Sequence, residues 1–224
     1  MIACFVTGTD TGVGKTLSSC ALLHALAQHH RRVVGMKPVA AGAEPNGQGG
    51  WTNSDSLALR AASGLVVAPA LDNPVLLAAP VSPHIAAARE HCSVRLEPIV
   101  AAYQALSQQA DAIVVEGAGG WQVPLSNHLR IADLAIALQL PVVLVVGLRL
   151  GCLNHALLTA DAIRSSGLPL AGWIANRVDP DMLEPEANMA YLREHLGAPL
   201  LADIPWQASP DARAVRVDLP KEWQ

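Results

Sequence analysis

A lysine and three glycines stand close together in the stretch GTDTGVGKT, residues 8–16. A short apolar run, residues 2–6, precedes this stretch, and an amphipathic segment, residues 17–28, follows it. Backbone N–H groups in such a loop and at the start of the next helix can point at one place, where the helix dipole adds positive potential. Lys15 can reach the β- and γ-phosphate oxygens of a nucleotide, and the Thr16 hydroxyl can ligate Mg²⁺. The stretch therefore predicts a phosphate-binding loop.

The spacing in this stretch departs from the common phosphate-loop pattern G-x-x-x-x-G-K-[ST]. Gly14, Lys15 and Thr16 fit the end of the pattern, but Thr9 stands where the first glycine is expected. Gly14 still allows the backbone to approach a phosphate closely. The alternative is a glycine-rich turn with an unrelated lysine, and the position between a buried strand and an amphipathic helix argues against it.

Two acidic residues are candidate ligands for the metal that accompanies nucleotide phosphates. Mg²⁺ in such sites takes one or two carboxylates in addition to phosphate oxygens and water. Glu116 ends the apolar run 113–115, where nucleotide hydrolases with a phosphate loop carry a second acidic motif. Asp55 precedes a predicted helix. The alternatives are a solvated acid at a strand end for Glu116 and a helix N-cap for Asp55.

Two further polar residues end predicted strands. Lys37 ends a buried strand beside the phosphate loop, and it could also be an ordinary surface charge. Two lysines that face one phosphate region would stabilise extra negative charge in a transition state. Asn176 ends another strand, and its carboxamide could pair with the N6 and N7 edge of adenine or could belong to a turn.

Short apolar runs alternate with helical patterns along the chain. The predicted strands are 2–7, 32–37, 112–116, 141–147, 171–176 and 199–204, and the predicted helices are 17–29, 96–109, 131–138, 154–165 and 183–196. Most of the strands are apolar throughout, which is typical of a parallel sheet covered on both faces. We therefore predict one domain, residues 1–224, with the α/β fold of a doubly wound, mostly parallel sheet flanked by helices. Ligands bind such sheets beyond the carboxyl ends of the strands, so the polar residues after the first five strands should face one edge.

Composition narrows the classes of function. The net charge is −4 and aromatic residues are few, which argues against nucleic acid as a partner. The four cysteines are scattered, as expected for reduced and mostly buried thiols in the cytosol. No basic segment precedes an apolar one near residue 1, and the longest apolar run, 141–148, is too short to span a bilayer. We expect a cytoplasmic protein without a membrane partner.

Two segments carry weaker sequence patterns. Residues 40–53 contain four glycines and predict a loop, which is either a surface linker or a flap over the site. Residues after Trp206 show no clear pattern.

Together these motifs resemble those of the dethiobiotin synthetase family. The similarity runs in order from about Phe5 to Trp206 through FVTGTDTGVGKT, GMKPVAAGAE, NSDSLAL, SPHIAAA, VVEGAGGWQVPL, LPVVLVVGLRLGCLNHALLTADAI, LAGWIAN and IPW. The combination of GTDTxxGKT, VEGAGG and GCxNHA is specific, whereas the phosphate loop alone is not.

The resemblance implies a homodimeric ligase of biotin synthesis that depends on Mg²⁺ and ATP. It would join CO₂ to 7,8-diaminononanoate through a carbamate and a carbamic–phosphoric anhydride, and close a cyclic urea. It also implies roles for individual residues. Lys15 and Lys37 would hold the phosphates and the developing charge, and Thr16, Asp55 and Glu116 would hold Mg²⁺. Contacts to the nucleotide would come from Gly12, Val13, Gly14, Lys15, Thr16, Leu17, Gly117, Ala118, Gly119, Asn176, Arg177, Pro205, Trp206 and Gln207. Contacts to the diamine substrate would come from Thr11, Lys37, Ala41, Gly117, Gly151, Cys152, Leu153 and Asn154, with the last four receiving its carboxylate across the dimer interface.

Two positions depart from the family pattern. Ala41 stands where the family usually has Ser or Thr, and the missing hydroxyl is a substrate contact. One uncharged hydrogen bond contributes about 0.5–1.5 kcal/mol net, so we expect weaker substrate binding rather than inactivity. Gly12 replaces a larger or acidic residue of some members, which predicts a more flexible loop with the same chemistry.

Two other functions remain open on sequence alone. A partner-binding ATPase of the partition or septum-site type has a related core, but it carries a lysine near the start of the loop, where this chain has Asp10. An amide-forming ligase for a larger carboxylate would need an ammonia source, and no segment after Trp206 resembles a glutaminase.

Overall fold

A parallel sheet of six strands is the centre of the fold in the computed structural model, which describes residues 1–47 and 49–224. The strands in chain order are β1 (Ile2–Gly8), β2 (Val33–Met36), β3 (Val39–Ala41), β4 (Glu44–Pro45), β5 (Trp51–Thr52), β6 (Val75–Leu77), β7 (Ala112–Gly120), β8 (Val142–Gly147), β9 (Leu170–Asn176) and β10 (Leu200–Ile204). The order across the sheet is β10-β9-β8-β1-β7-β2, and every neighbouring pair is parallel. The predicted doubly wound α/β fold is therefore confirmed.

Helices cover both faces of this sheet. They are α1 (Lys15–Leu26), α2 (Ser54–Ala62), α3 (Pro69–Asp72), α4 (Pro83–Arg89), α5 (Leu96–Ser107), α6 (Ile131–Leu138), α7 (Cys152–Ser165) and α8 (Pro185–His195), and 3₁₀ turns lie at Ala212–Ala214 and Lys221–Trp223. Successive side chains of a strand point to opposite faces. In β1, accordingly, Phe5 packs into the core on one face, while Cys4 and Val6 pack with α1 on the other. None of the helices in the described part of the chain is long and apolar enough to cross a membrane.

The strand order places the phosphate loop at the point where the chain changes the direction in which it adds strands to the sheet. From β1 the chain crosses past β7 to reach β2, and from β7 it crosses back past β1 to reach β8. The carboxyl end of β1 thus lies beside that of β7 on one side and that of β8 on the other. Crevices at such points are where ligands bind in open α/β sheets.

Several predicted boundaries were wrong. Helix α1 begins at Lys15 rather than at residue 17, because Gly14 adopts a left-handed conformation (φ 83°) as its N-cap. Strand β7 continues to Gly120, four residues beyond the predicted end. Within the predicted loop 40–53 the structure has the end of β3 and the short strands β4 and β5, and Gln48 of that loop lies outside the described residues.

The segment after Trp206 packs against the amino-terminal half of the chain. Leu219 and Trp223 are buried in the same core as α1. The Asp218 N–H donates to Leu201 O at 2.8 Å, and His30 Nε2 lies 3.0 Å from Trp223 O. This tail therefore covers part of the surface of α1. The sequence after Trp206 has no pattern that predicts this packing.

Candidate functional site

A cavity of about 730 Å³ opens at the carboxyl ends of β1, β2 and β7. Its walls combine the phosphate loop, the two candidate lysines, the two candidate carboxylates and the segment before α4. The lining residues are Thr11, Gly12, Gly14, Lys15, Thr16, Lys37, Ala41, Asp55, Pro80, Val81, Ser82, Pro83, Glu116, Ala118, Gly119 and Val123. Eleven predicted site residues thus border one cavity, although they come from four separate parts of the sequence.

The phosphate loop is shaped by the contact between Gly14 and Asn176. Asn176 Nδ2 donates to Val13 O at 2.9 Å. A Cβ built on Gly14 would lie 2.1 Å from that same nitrogen, so a side chain at position 14 would collide with Asn176. Glycine at position 14 is therefore favoured by its positive φ, and a side chain there would displace the Asn176 amide from its hydrogen bond to Val13 O.

Lys15 lies in the first turn of α1 and its side chain is nearly buried. Its Nζ donates to Asp10 O at 3.2 Å, across the mouth of the loop. Burial, followed by the positive charge of Lys37, lowers the pKa of Lys15 from its ordinary value of 10.5. A buried ammonium that faces a second ammonium favours the arrival of an anion.

Thr16 and the two carboxylates meet at the start of α1. Thr16 Oγ1 lies 2.9 Å from both Asp55 Oδ1 and Glu116 Oε1. Asn53, rather than Asp55, is the N-cap of α2, and its Oδ1 accepts from the Asp55 N–H at 3.0 Å. The cap leaves the Asp55 carboxylate free to turn toward Thr16, so the N-cap alternative for Asp55 was wrong.

Lys37 is buried between the same two carboxylates. Its Nζ lies 2.6 Å from Glu116 Oε1 and 2.8 Å from Asp55 Oδ2. Burial opposes the charged form of Lys37, but the charges of Glu116 and Asp55 outweigh it and raise the pKa of Lys37. Burial likewise opposes the charged form of Asp55, and the ammonium of Lys37 outweighs it and lowers the pKa of Asp55. The surface-charge interpretation of Lys37 is therefore excluded.

The main chain of Lys37 is fixed by the end of α3. The Lys37 N–H donates to Asp72 O, and Lys37 O accepts from Asn73 Nδ2, both at 2.7 Å. Arg60 holds Asp72 in turn through two hydrogen bonds of 2.6 Å. Nothing in the spacing of these residues indicates that they position the lysine.

The other predicted residues lie outside the lining of this cavity. Val13 is buried beneath the loop. Arg177 forms ion pairs with Asp203 and Glu186, while Trp206 is half exposed. Leu17, Gly117, Asn176, Pro205 and Gln207 are also absent from the lining, as are Gly151, Cys152, Leu153 and Asn154 at the start of α7.

Sequence reasoning missed one wall of the cavity. Pro80, Val81, Ser82 and Pro83 line it from the segment that leads into α4. Ser82 is the N-cap of α4 and Pro83 is its first residue. This Ser-Pro start is a recognisable helix signal, but it does not reveal that the helix starts at the site.

The sheet order, the phosphate loop and the paired carboxylates define the class of protein as one with the fold of P-loop nucleotide hydrolases. Solved structures agree with this class. The septum-site protein MinD in its complex with MinC from Aquifex aeolicus superposes with a TM-score of 0.56 at 16% identity, over 93% of this chain and 83% of that one. The cell division protein FtsY of Thermotoga maritima gives a TM-score of 0.55 at 16% identity, over 99% of this chain and 66% of that one.

Comparison with protein families narrows the class to one family. A family model described as an AAA domain matches residues 3–214. ATP-dependent dethiobiotin synthetase BioD of Xanthomonas oryzae pv. oryzae is 56% identical over 212 residues, which are 95% of this chain and 93% of the relative. The protein of the same name from Aromatoleum aromaticum is 52% identical over 219 residues, which are 97% of this chain and 96% of the relative. The chain belongs to the ATP-dependent dethiobiotin synthetase family.

Proposed function

We propose that this cavity joins CO₂ to 7,8-diaminononanoate and closes the cyclic urea of dethiobiotin, with conversion of ATP to ADP and phosphate. Membership of the family makes the chain an ATP-dependent ligase of biotin biosynthesis. The observation that carries the residue assignment is the convergence of Lys15, Lys37, Asp55 and Glu116 on the phosphate loop within one cavity. We infer that all 224 residues form one domain and that the enzyme acts in the cytoplasm.

The donor set beside the loop fits Mg²⁺. The Thr16 hydroxyl and the carboxylates of Asp55 and Glu116 supply hard oxygen ligands, which this cation prefers. Glu116 Oε2 is buried and has no hydrogen-bond partner among the described residues. An unpaired buried oxygen of this kind is expected in a carboxylate that ligates a cation. These three residues would hold Mg²⁺, which when bound neutralises charge on the nucleotide phosphates.

We assign to Lys37 a role at the reacting groups. Lys37 lines the same cavity as the phosphate loop and Ala41. One amine of the diamine captures CO₂ as a carbamate, and a carbamate oxygen attacks the γ-phosphorus of ATP while ADP leaves. The charges of Lys15 and Lys37 stabilise the negative charge that spreads over the transferring group.

Ring closure follows from the mixed anhydride. The second amine attacks the carbonyl carbon of the anhydride, a C–N bond forms, and the C–O bond to phosphate breaks. Two protons leave the amines over the whole sequence, and inorganic phosphate departs. Thr11, Ala41 and Gly117 would border the diamine end of the substrate, near Lys37. The walls of the cavity orient the amine toward the carbonyl and so raise its effective concentration.

The carboxylate end of the substrate needs a separate anchor. The first turn of a helix presents backbone N–H groups that suit an anion, and the family resemblance assigns this role at the start of α7 to Gly151, Cys152, Leu153 and Asn154. Since these residues lie outside the lining of the cavity in the same chain, we infer that a second copy of the chain supplies them. The active enzyme is then a homodimer.

The nucleotide base would lie near the ends of β9 and β10. Asn176 Nδ2 is committed to Val13 O, so the carboxamide oxygen is the atom left for the amino group of adenine. Arg177, which Asp203 and Glu186 hold in place, would flank the base together with Pro205, Trp206 and Gln207. Gly12, Val13, Gly14 and Leu17 would complete the loop around the phosphates, and Gly117, Ala118 and Gly119 would border the cleft between nucleotide and substrate.

The test is phosphate release from Mg·ATP with and without the diamine and bicarbonate. Release that requires both substrates, with a product at the mass of dethiobiotin, supports the ligase. Release that is indifferent to the diamine would contradict it and leave only the nucleotide site. Sedimentation of the active protein as a dimer tests the shared carboxylate anchor.

A further inference from the structure

An ion pair joins the phosphate loop to the segment that precedes α7. Arg149 Nη2 contacts Asp10 Oδ2. The other carboxylate oxygen of Asp10 accepts from the Thr11 N–H at 2.7 Å, and the carbonyl of Asp10 accepts from Lys15 Nζ at 3.2 Å. Asp10 therefore contacts two residues that line the cavity, and it also contacts the chain that leads to α7.

The other end of this ion pair is fixed to the start of α7. The carbonyl of Arg149 accepts from the Cys152 N–H at 3.0 Å, and Gly151, in a left-handed conformation (φ 97°), is the N-cap of the helix. Leu148, just before Arg149, is fully buried, and its N–H donates to Asn176 O at 2.7 Å. The backbone on both sides of Arg149 is therefore held by hydrogen bonds, and the guanidinium joins this segment to the phosphate loop.

The charges of Asp10 and Arg149 also bear on the binding of the nucleotide. Asp10 places a negative charge within a loop that must receive phosphates, and such a charge would repel the nucleotide. Arg149 compensates that charge, so the loop keeps the hydrogen bond to Thr11 without the repulsion. The two side chains are about half exposed, at 43% and 45%, and exposed pairs contribute little to folding stability. A role in stability alone therefore does not account for the arrangement.

We infer that Asp10 and Arg149 are positioning residues that couple the nucleotide loop of one chain to the carboxylate anchor that the same chain would supply to the cavity of the second copy. The inference rests on the proposed function, since that function makes the start of α7 the anchor. Neither residue contacts the reacting atoms. Loss of the pair frees the helix start to move, which weakens binding of the diamine in the cavity of the second copy. Loss of Arg149 alone also exposes the charge of Asp10 to ATP.

The test is a double-mutant cycle in which the Michaelis constants for ATP and for 7,8-diaminononanoate are measured separately. R149Q should raise both constants, the one for the diamine by at least about fivefold, which is the lower end of coupling between linked sites. D10N should raise the constant for the diamine and should not raise that for ATP, because the charge it leaves unpaired is the positive one of Arg149. D10N/R149Q should restore the constant for ATP and show no larger diamine effect than either single variant, because both remove the same contact.

Arg216 provides the matched control. It pairs with Asp218 on the exposed tail, so R216Q removes a surface ion pair that is remote from the cavity and should change neither constant. The coupling would be overturned if the rise in the Michaelis constant for the diamine in D10N/R149Q equalled the product of the rises in the two single variants. It would also be overturned by R149Q constants that stay within about twofold of the wild type, the usual error of such cycles.

Failure of the proposed function gives a different result. If the wild-type chain forms no dethiobiotin, the ligase is refuted, and the pair is then tested by ATP affinity in titration calorimetry. Weaker ATP binding by R149Q with recovery in D10N/R149Q supports the electrostatic part of the inference. Equal affinity in all four proteins overturns it.

Discussion

The ammonium of Lys37 lies 2.6 Å from Oε1 of Glu116, and both side chains are buried. The same oxygen lies 2.9 Å from Thr16 Oγ1, and Asp55 contacts both Lys37 and Thr16. Lys37 therefore already supplies one positive charge to the carboxylates that we assign to Mg²⁺. Mg²⁺ bound by these oxygens, as we propose, would compete with the ammonium for them, and Lys37 would then be able to face the carbamate and the γ-phosphate.

Replacement of Lys37 by alanine should abolish turnover and leave ATP binding measurable. The phosphate loop keeps its backbone N–H groups and Lys15, whereas the charge beside the carbamate is lost. Removal of one partner of a buried ion pair also lowers the free energy of unfolding by about 3–5 kcal/mol, since the remaining charge is unpaired. Product formation, titration calorimetry and urea unfolding measure the three effects.

The matched control for this variant is Lys221→Ala. Lys221 is the one lysine of the sequence besides Lys15 and Lys37, and it lies on the exposed carboxy-terminal turn. Its replacement should leave turnover and stability unchanged. Normal turnover in the Lys37→Ala enzyme would remove Lys37 from the mechanism.

Replacement of Glu116 by glutamine should raise the Mg²⁺ concentration needed for half-maximal activity by about tenfold or more, as expected when a metal site loses a charged ligand. The side chain keeps its size, so the core around it stays filled. A titration of activity with Mg²⁺ at saturating ATP measures the shift. Glu97→Gln, an exposed acid on α5, should behave like the wild type. An unchanged Mg²⁺ requirement in Glu116→Gln would exclude Glu116 as a ligand.

Alanine at position 14 should abolish nucleotide binding, and alanine at position 12 should only weaken it. Both glycines have positive φ, so each substitution carries a backbone cost of about 1–2 kcal/mol. An added Cβ at Gly12 meets open space, whereas one at Gly14 collides with Asn176. Binding of a fluorescent ATP analogue distinguishes the two variants, and equal affinities would show that the Asn176 contact does not shape the loop.

Serine at position 41 should strengthen binding of the diamine. Ala41 lines the cavity, and a hydroxyl there adds one hydrogen bond worth about 0.5–1.5 kcal/mol, or roughly a 2- to 12-fold lower Michaelis constant. The constant for ATP should not change. Ala43→Ser, two residues further along and outside the cavity lining, is the control. A Michaelis constant that does not fall would mean that position 41 does not contact the substrate.

Alkylation should distinguish the cysteines of the native protein. Cys92 is exposed, whereas Cys4, Cys20 and Cys152 are buried. Burial raises the pKa of Cys4 and of Cys20 to about 12, so these thiols stay protonated at pH 8 and lack the nucleophilic thiolate. Mass spectrometry after treatment with iodoacetamide should find one modified thiol in the native protein and four in denaturant. Rapid modification of Cys4 or Cys20 under native conditions would contradict the burial of these residues.

The fold could be predicted because its signals are local. Apolar runs such as 142–147 identify strands buried on both faces. Their alternation with amphipathic segments predicts a parallel sheet. The phosphate loop could be predicted for the same reason, since glycine, lysine and threonine act within one turn. The start of α1 was placed two residues late, because only the observed conformation of Gly14 shows where the helix begins.

The sequence by itself determined the class of fold, the phosphate loop and the family, because each depends on residue types at fixed spacing along the chain. Tertiary structure alone decided that Lys37 is buried against Glu116 and Asp55, and that Arg149 contacts Asp10. These pairs are separated by up to 139 residues. Their distances depend on strand order and helix packing, which bring together side chains that no local pattern relates.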